Sequence, residues 1–317
     1  MDYTGVLILN YNTYDATIQC IESIERYNTA LIKYIVVDNG STNADVILKL
    51  DGYFKSRFLD GYKMFNENDK IEDLPDLSFI IGSSNTGYAQ GNNLGLKFIY
   101  NDKAIDNVLV INNDVIFVAD IITNLIHIKS RLTDAAILSP LLFKKDGISI
   151  DYNCARLEHS SWELILTYIF AYKNIFNYIN YKTNKRYILK EKPDLLSCEH
   201  VEIELPSGSC MLCSKIFLQN IGGFDPHTFL YFEENILYRK IKKYNLKNYC
   251  IPSLKCIHLG AISTTDAPSG AILKFSLDSA DYYLRHYVHL TKIQMIFWNL
   301  AKLSTMFKVK ILGLVRK

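Results

Sequence analysis

Apolar residues run along the first half of the chain in unbroken clusters and scatter more loosely after about residue 150. Gly5-Val6-Leu7-Ile8-Leu9 and Ile35-Val36-Val37 are continuous, and Asp15 to Tyr27 between them carries helical spacing. An unbroken run implies a strand buried on both faces, which a parallel sheet covered by helices supplies. The alternation goes on with a strand over Leu77 to Ile81, a helix from about Asn92 to Tyr100 and a strand over Val108 to Ile111. A helix from about Ile121 to Leu132 and a strand over Ala136 to Leu138 follow. This order predicts an α/β fold, a mostly parallel sheet joined by right-handed crossovers.

Ligands of such sheets sit beyond the carboxyl ends of the strands. Polar or flexible residues stand at each of those ends: Asn10-Tyr11-Asn12, Asp38-Asn39-Gly40-Ser41, Ser83-Ser84-Asn85 and Asn112-Asn113-Asp114. All four tips are expected to converge on one cleft. Residues 151–199 break the alternation and are rich in Tyr, Phe, Asn and Lys, which reads as an inserted cap. Core-like patterning returns at Leu205-Pro206-Ser207-Gly208-Ser209. A helix from about Glu233 to Tyr244, a short strand near Tyr249 to Ile251 and a loop around His258 follow. The expected organisation is one α/β domain over 1–265, with 151–199 inserted in it, and a basic helical segment over 266–317.

Composition narrows the class. Of 317 residues 49% are hydrophobic and 21% charged, which suits a packed, enzyme-sized domain. A net charge of +2 gives no dense basic face for nucleic acid. After Asp281 there is no acid at all, while seven Lys and Arg lie among Phe297, Trp298, Phe307 and many Leu and Ile. That segment suggests contact with an anionic membrane surface; packing on the domain, or self-association into a homo-oligomer, is the alternative. Seven irregularly spaced cysteines suit reduced thiols. The N-terminus lacks a secretory signal pattern and no run approaches the roughly 20 apolar residues of a spanning helix, so a cytoplasmic protein is expected, peripheral at most to the inner membrane face.

Candidate chemistry sits at the strand tips. Asp114 is placed to hold a hard divalent ion such as Mg²⁺ or Mn²⁺ beside Asn112 and Asn113, and reads equally as the N-cap of the next helix. Asp38 could accept from a ribose or base, or simply close an Asx-turn. Asn85 with Gly91, Asn92 and Asn93 falls in a glycine-containing loop whose amides could face an anion at a helix start, with a capped turn as the plain alternative. Glu233 and Glu234 follow an aromatic run and open a helix. Apolar surroundings and a second negative charge raise a carboxylate pKa toward that of a general base, although acidic first turns are ordinary. His258 is a lone histidine after a strand-like stretch.

Taken in order, Leu7-Ile8-Leu9-Asn10-Tyr11-Asn12, Val36-Val37-Asp38-Asn39-Gly40-Ser41, Asn85-Thr86-Gly87-Tyr88, Gly91-Asn92-Asn93-Leu94-Gly95, Ile111-Asn112-Asn113-Asp114, Ser207-Gly208-Ser209, Gly222-Gly223-Phe224-Asp225 and Tyr231-Phe232-Glu233-Glu234 resemble the family-2 glycosyltransferases. The likeness is to the rhamnosyltransferase-like subgroup of O-antigen and capsule polysaccharide synthesis. It implies the GT-A fold and an inverting transferase (EC 2.4) moving a sugar from a UDP- or dTDP-sugar to a carbohydrate or lipid-linked acceptor hydroxyl. It implies nucleotide-sugar contacts at Asn10, Asn12, Asp38, Asn85, Gly91, Asn92, Asn93, Asn112 and Asn113. Asp114, and His258 beside it, would hold a divalent metal (Mn²⁺ or Mg²⁺), with Glu234 as base and Glu233 in reserve. Two departures stand out: Asn112 replaces the first acid of an Asp-x-Asp motif, and Ile236 stands where many relatives carry a further Asp. A non-catalytic nucleotide-sugar or carbohydrate binder and a nucleotidyltransferase are the competing classes, and the latter would want a basic Gly-rich loop after the first strand.

Overall fold

A computed structural model describes residues 3–169, 186–260 and 269–314. The first half alternates as its pattern predicts: β1 (Tyr3–Asn10), α1 (Tyr14–Tyr27), β2 (Ile32–Asp38), α2 (Ala44–Phe58), β3 (Tyr62–Asn66), β4 (Leu77–Ile81), α3 (Gly87–Asn101), β5 (Ile105–Asn112), β6 (Val115–Phe117), α4 (Ile121–Arg131) and β7 (Ala135–Phe143). Three elements were not anticipated, α2, β3 and β6. Helix α2 has an amphipathic signal, since Val46, Leu50 and Phe54 recur every fourth residue and are buried.

The second half holds β8 (Ala155–Arg156), α5 (Ser161–Ile169), α6 (Ile188–Glu191), β9 (Val201–Ile203), β10 (Leu205–Pro206), β11 (Cys210–Ser214), α7 (Lys215–Asn220), α8 (Glu233–Lys242), β12 (Lys247–His258), α9 (Ser269–Tyr283) and α10 (Lys292–Leu314). Residues 170–185 of the expected cap, 261–265 at the end of the expected α/β domain, and Arg316 and Lys317 lie outside the described residues. The short strand expected near Tyr249 is part of a twelve-residue one, β12, which carries His258 at its end rather than in a loop.

Ten strands form one sheet in the order β3-β4-β2-β1-β5-β11-β7-β12-β6, with β9 also on β12. β3, β4, β2, β1 and β5 are mutually parallel, β11 runs antiparallel to both β5 and β7, and β12 runs parallel to β7. Alternate side chains of each central strand enter opposite apolar layers. Val6, Ile8 and Val36 meet α1 and α2, whereas Leu7, Ile35 and Val37 meet α3. Burial on both faces is why these strands read as unbroken apolar runs.

The glycine-containing stretch read as a loop is largely helix. α3 starts at Gly87, five residues before the expected start, and its glycines lie close against the sheet: a β-carbon at Gly91 would strike Leu9 Cδ1 and one at Gly95 would strike Leu7 Cδ1. Glycine costs a helix interior about 1 kcal/mol relative to alanine, and close packing on the sheet offsets it. A third core joins α5, α8, α9 and α10 through Leu164, Ile165, Ile236, Tyr283, Trp298 and Ala301. Ile236 is therefore an apolar contact to the C-terminal helices. All seven cysteines are free thiols and only Cys198 is exposed.

Candidate active site

Register brings the tips together. Asn10 lies opposite Asp38 on β2, and Leu9 lies opposite Asn112 on β5. The buried Asp38 carboxylate accepts from Asn10 Nδ2 at 2.8 Å, Ser41 Oγ at 2.6 Å and Ser41 N at 2.8 Å. Asn10 Oδ1 accepts from Thr17 Oγ1 (2.9 Å) and Asn113 Nδ2 (3.2 Å), and Asn113 Nδ2 also reaches Thr13 Oγ1. Asp38, Asn10 and Asn113 thus form a buried network that fixes the backbone of three strand ends. Asn12, left-handed at φ 58°, binds Thr42, and its backbone N–H donates to Ser41 Oγ.

Asn85 Oδ1 accepts from Gly87 N and Asn39 Nδ2, tying the turn before α3 to the tip of β2. Gly91, Asn92 and Asn93 lie beyond the first four N–H groups of α3, so their own amides are spent in the helix. The carboxamide of Asn93 clamps the backbone of Phe224, and Asn92 Nδ2 donates to Tyr88 O. The helix starts at Gly87 and Tyr88 instead, and both of those amides are taken, by Asn85 Oδ1 at 3.0 Å and by Phe229 O at 2.8 Å.

Asp114 is almost wholly buried, in the turn between β5 and β6. It is not the cap of α4, since that place belongs to Asp120, whose side chain accepts from Thr123 N. One of its carboxylate oxygens, Oδ1, has no hydrogen bond. His258 lies opposite Val115 in the β12–β6 pairing, which puts its Nε2 3.5 Å from that oxygen. The ring's Nδ1 faces Asp151 Oδ2 at 3.2 Å, and Nε2 is also 3.3 Å from Ser209 Oγ. Burial alone would lower the imidazole pKa, but Asp114 and Asp151 together lift it to about 9. Oδ1 of Asp114 and Nε2 of His258 are the two donors from which a divalent cation could be held, with Asp151 fixing the ring from behind. Among the described residues no group of three or more His, Cys, Asp or Glu could hold a metal ion, so remaining coordination sites would fall to phosphate and water.

Ser207-Gly208-Ser209 bridges this centre to the acidic pair. Ser209 O accepts from Asn112 N at 2.9 Å, and next to it Gly208 N donates to Glu234 Oε1 at 3.0 Å. Tyr88 Oη donates to Gly208 O at 2.7 Å. Glu234 is one-fifth exposed and has Arg156 Nη2 3.8 Å from Oε1. Glu233 is buried, and its Oε1 has no hydrogen bond. Burial and the adjacent Glu234 charge push its carboxyl up to about 8. Two consecutive left-handed residues, Tyr231 (φ 72°) and Phe232 (φ 69°), precede the pair. For bulky side chains this costs about 1–3 kcal/mol each, strain of the kind that collects at functional sites.

Among the described residues Asp114, His258, Asn112 and Glu234 therefore gather around one short segment, and Asp38 joins through Asn10 and Asn113. Asp151 and Arg156, which share this centre, were not singled out by sequence reasoning; both come from the start of the insertion. Cavities of about 310 and 460 Å³ lie elsewhere, around Glu25 and Arg57.

The fold has a precedent among solved structures. A crystal structure described as GalNAc-T7 with UDP, GalNAc and Mn²⁺ superposes over 89% of this chain with a TM-score of 0.60 at 13% identity, and the chain spans 47% of that protein. The fold is GT-A. In sequence, the chain is 22% identical over 236 residues to the low-salt glycan biosynthesis hexosyltransferase Agl10 of Haloferax volcanii. That match takes in 74% of this chain and 60% of the relative's length. No protein-family model matches the chain. Among the described residues no helix is long and apolar enough to cross a membrane.

Proposed function

We propose that the chain is an inverting glycosyltransferase that takes a hexosyl or deoxyhexosyl unit from a UDP- or dTDP-sugar and attaches it to a carbohydrate or lipid-linked acceptor in the assembly of a surface glycan. The observation that carries this reading is the convergence of Asp114, His258 and Glu234 on Ser207-Gly208-Ser209, beyond the carboxyl ends of the strands, in a GT-A fold. The printed descriptions of the hexosyltransferase relative and of the UDP- and Mn²⁺-bound structure agree with it.

The nucleotide lies across the tips of β1, β2 and β5, in the frame that Asn10, Asn12, Asp38 and Asn113 hold rigid. Asp114 and His258 would hold a divalent cation, Mn²⁺ or Mg²⁺, which would supply positive charge to offset that of the departing diphosphate. Glu234 is the base. Gly208 N–H and Arg156 aim it, while Glu233, its carboxyl pushed up to about 8 by burial and the neighbouring charge, stays neutral behind it. The acceptor oxygen forms a bond to the anomeric carbon as the bond from that carbon to the phosphate oxygen breaks. The acceptor proton passes to Glu234, and the electron pair leaves with the nucleoside diphosphate. Attack from the face opposite the leaving group inverts the configuration.

A thermal-shift panel of UDP, dTDP and GDP and their sugars, with and without Mn²⁺, identifies the donor, because a ligand of the native state raises its stability. Glu234→Gln should then retain the donor's shift and lose transfer. Transfer that survives this substitution would assign the base elsewhere.

A further inference from the structure

Helix α10 is built with two unlike faces. Trp298, Ala301 and Thr305 are buried, with the Trp298 indole donating to Asp281 Oδ1 at 2.6 Å and meeting Tyr168 edge-on. The opposite face carries Ile293, Ile296, Phe297, Leu300, Leu303 and Phe307, all exposed; Ile296 keeps 61% and Leu303 69% of its surface in solvent. Their spacing of three and four residues makes one continuous apolar stripe. Trp162 and Leu166 of α5 extend it, Trp162 packing edge-on against Phe297 at 5.6 Å. An apolar surface of this extent has a partner.

Charge decides which partner. The stretches 164–190 and 282–317 contain twelve of the chain's 35 Lys and Arg and none of its 33 Asp and Glu, leaving 23 basic against 33 acidic residues elsewhere. The stripe thus lies in acid-free, basic sequence on a molecule that is otherwise acidic. Exposed Lys292 and Lys310 border it. Two copies of the chain meeting through α10 would set like charges together with no acid on that helix to offset them. An anionic bilayer accepts both halves of the pattern, the apolar side chains below the headgroups and the lysines among them.

We infer that the outer face of α10, extended by Trp162 and Leu166, seats the protein on the surface of an anionic membrane, lying in the interface and not crossing it. This placement does not depend on the proposed chemistry.

The test is flotation of the full chain with phosphatidylcholine vesicles made with and without phosphatidylglycerol. The protein should float with the anionic vesicles and stay behind with the neutral ones. I296N/L300N/L303N, which alters only exposed positions, should lower bound protein at least about tenfold with an unchanged melting temperature. K292E/K310E leaves the apolar stripe intact and should lose the preference for phosphatidylglycerol. A wild-type chain that ignores anionic vesicles, or flotation unchanged in both variants, overturns the inference. So does a wild-type dimer, seen by light scattering, that the triple substitution dissociates without any vesicle binding.

Discussion

Gly208 touches Glu234 through its backbone N–H, and Gly208→Ala tests the proposed geometry directly. Its backbone is not in the left-handed region, so alanine fits the chain conformation. The added β-carbon would lie 3.0 Å from Glu234 Oε1 and 3.1 Å from Tyr88 Oη, closer than real β-carbons normally approach a neighbour. Glu234, a flexible side chain, gives way more easily than the backbone. In doing so it gives up the 3.0 Å bond from Gly208 N. A hydrogen bond to a charged group contributes about 1.5–3 kcal/mol, and each ~1.4 kcal/mol is tenfold in rate. Loss of this bond should lower kcat roughly 10- to 100-fold. The donor side is built from other residues, so the thermal shift produced by the donor nucleotide should persist. Steady-state transfer measured beside that shift is the assay. A variant that transfers at the parental rate, or one whose nucleotide shift vanishes together with the rate, refutes the placement of Glu234.

Three further outcomes are expected. The Glu233 carboxyl titrates from 4.5 unfolded to about 8 folded, so the native state binds the extra proton and stability falls as pH rises through that window; Glu233→Gln should flatten the fall in melting temperature between about pH 5 and 8. Asp114→Asn keeps the size of the side chain but removes its charge, and should abolish the extra stabilisation that Mn²⁺ adds to bound nucleotide, as read by thermal shift against the variant's own metal-free melting temperature, which itself falls because the buried His258 imidazolium loses a partner. Trp298→Ala empties the centre of the third core and should cost about 3–5 kcal/mol in denaturant unfolding, whereas Leu300→Asn, two residues away on the exposed face, should stay within about 0.5 kcal/mol.

The parallel half of the fold was legible because β1, β2, β4 and β5 are buried on both faces and end abruptly in polar residues. The same contrast exposed Asn10, Asp38, Asn112 and Asp114. The start of α3 was hidden by Gly87, Gly91 and Gly95, which read locally as a flexible loop and are instead required by residues remote in the chain: Gly87 by the Phe229 backbone, Gly91 by Leu9 and Gly95 by Leu7. β12 was foreshortened because Pro252 and Lys255 interrupt its apolar pattern where its register against β7 shifts between Ile251 and Lys255. Asp151 and Arg156 carry no local signal; their place beside His258 and Glu234 arises only when the insertion folds back on the sheet. The stripe on α10 was visible as an apolar and basic composition, but which of its aromatic rings face outward was not: Trp298 turns inward and Phe297 outward.

Helix α8 has two neighbours to satisfy at once. Leu237 and Ile241 belong to the apolar layer beneath the sheet, and Ile236 to the layer shared with α9 and α10. The rotational setting of α8 about its own axis, and so the direction in which Glu234 points, is held from both sides like an axle between two bearings. A shortened protein ending before α9 would keep the nucleotide platform yet lose one bearing, and should bind donor while misaligning the proton acceptor.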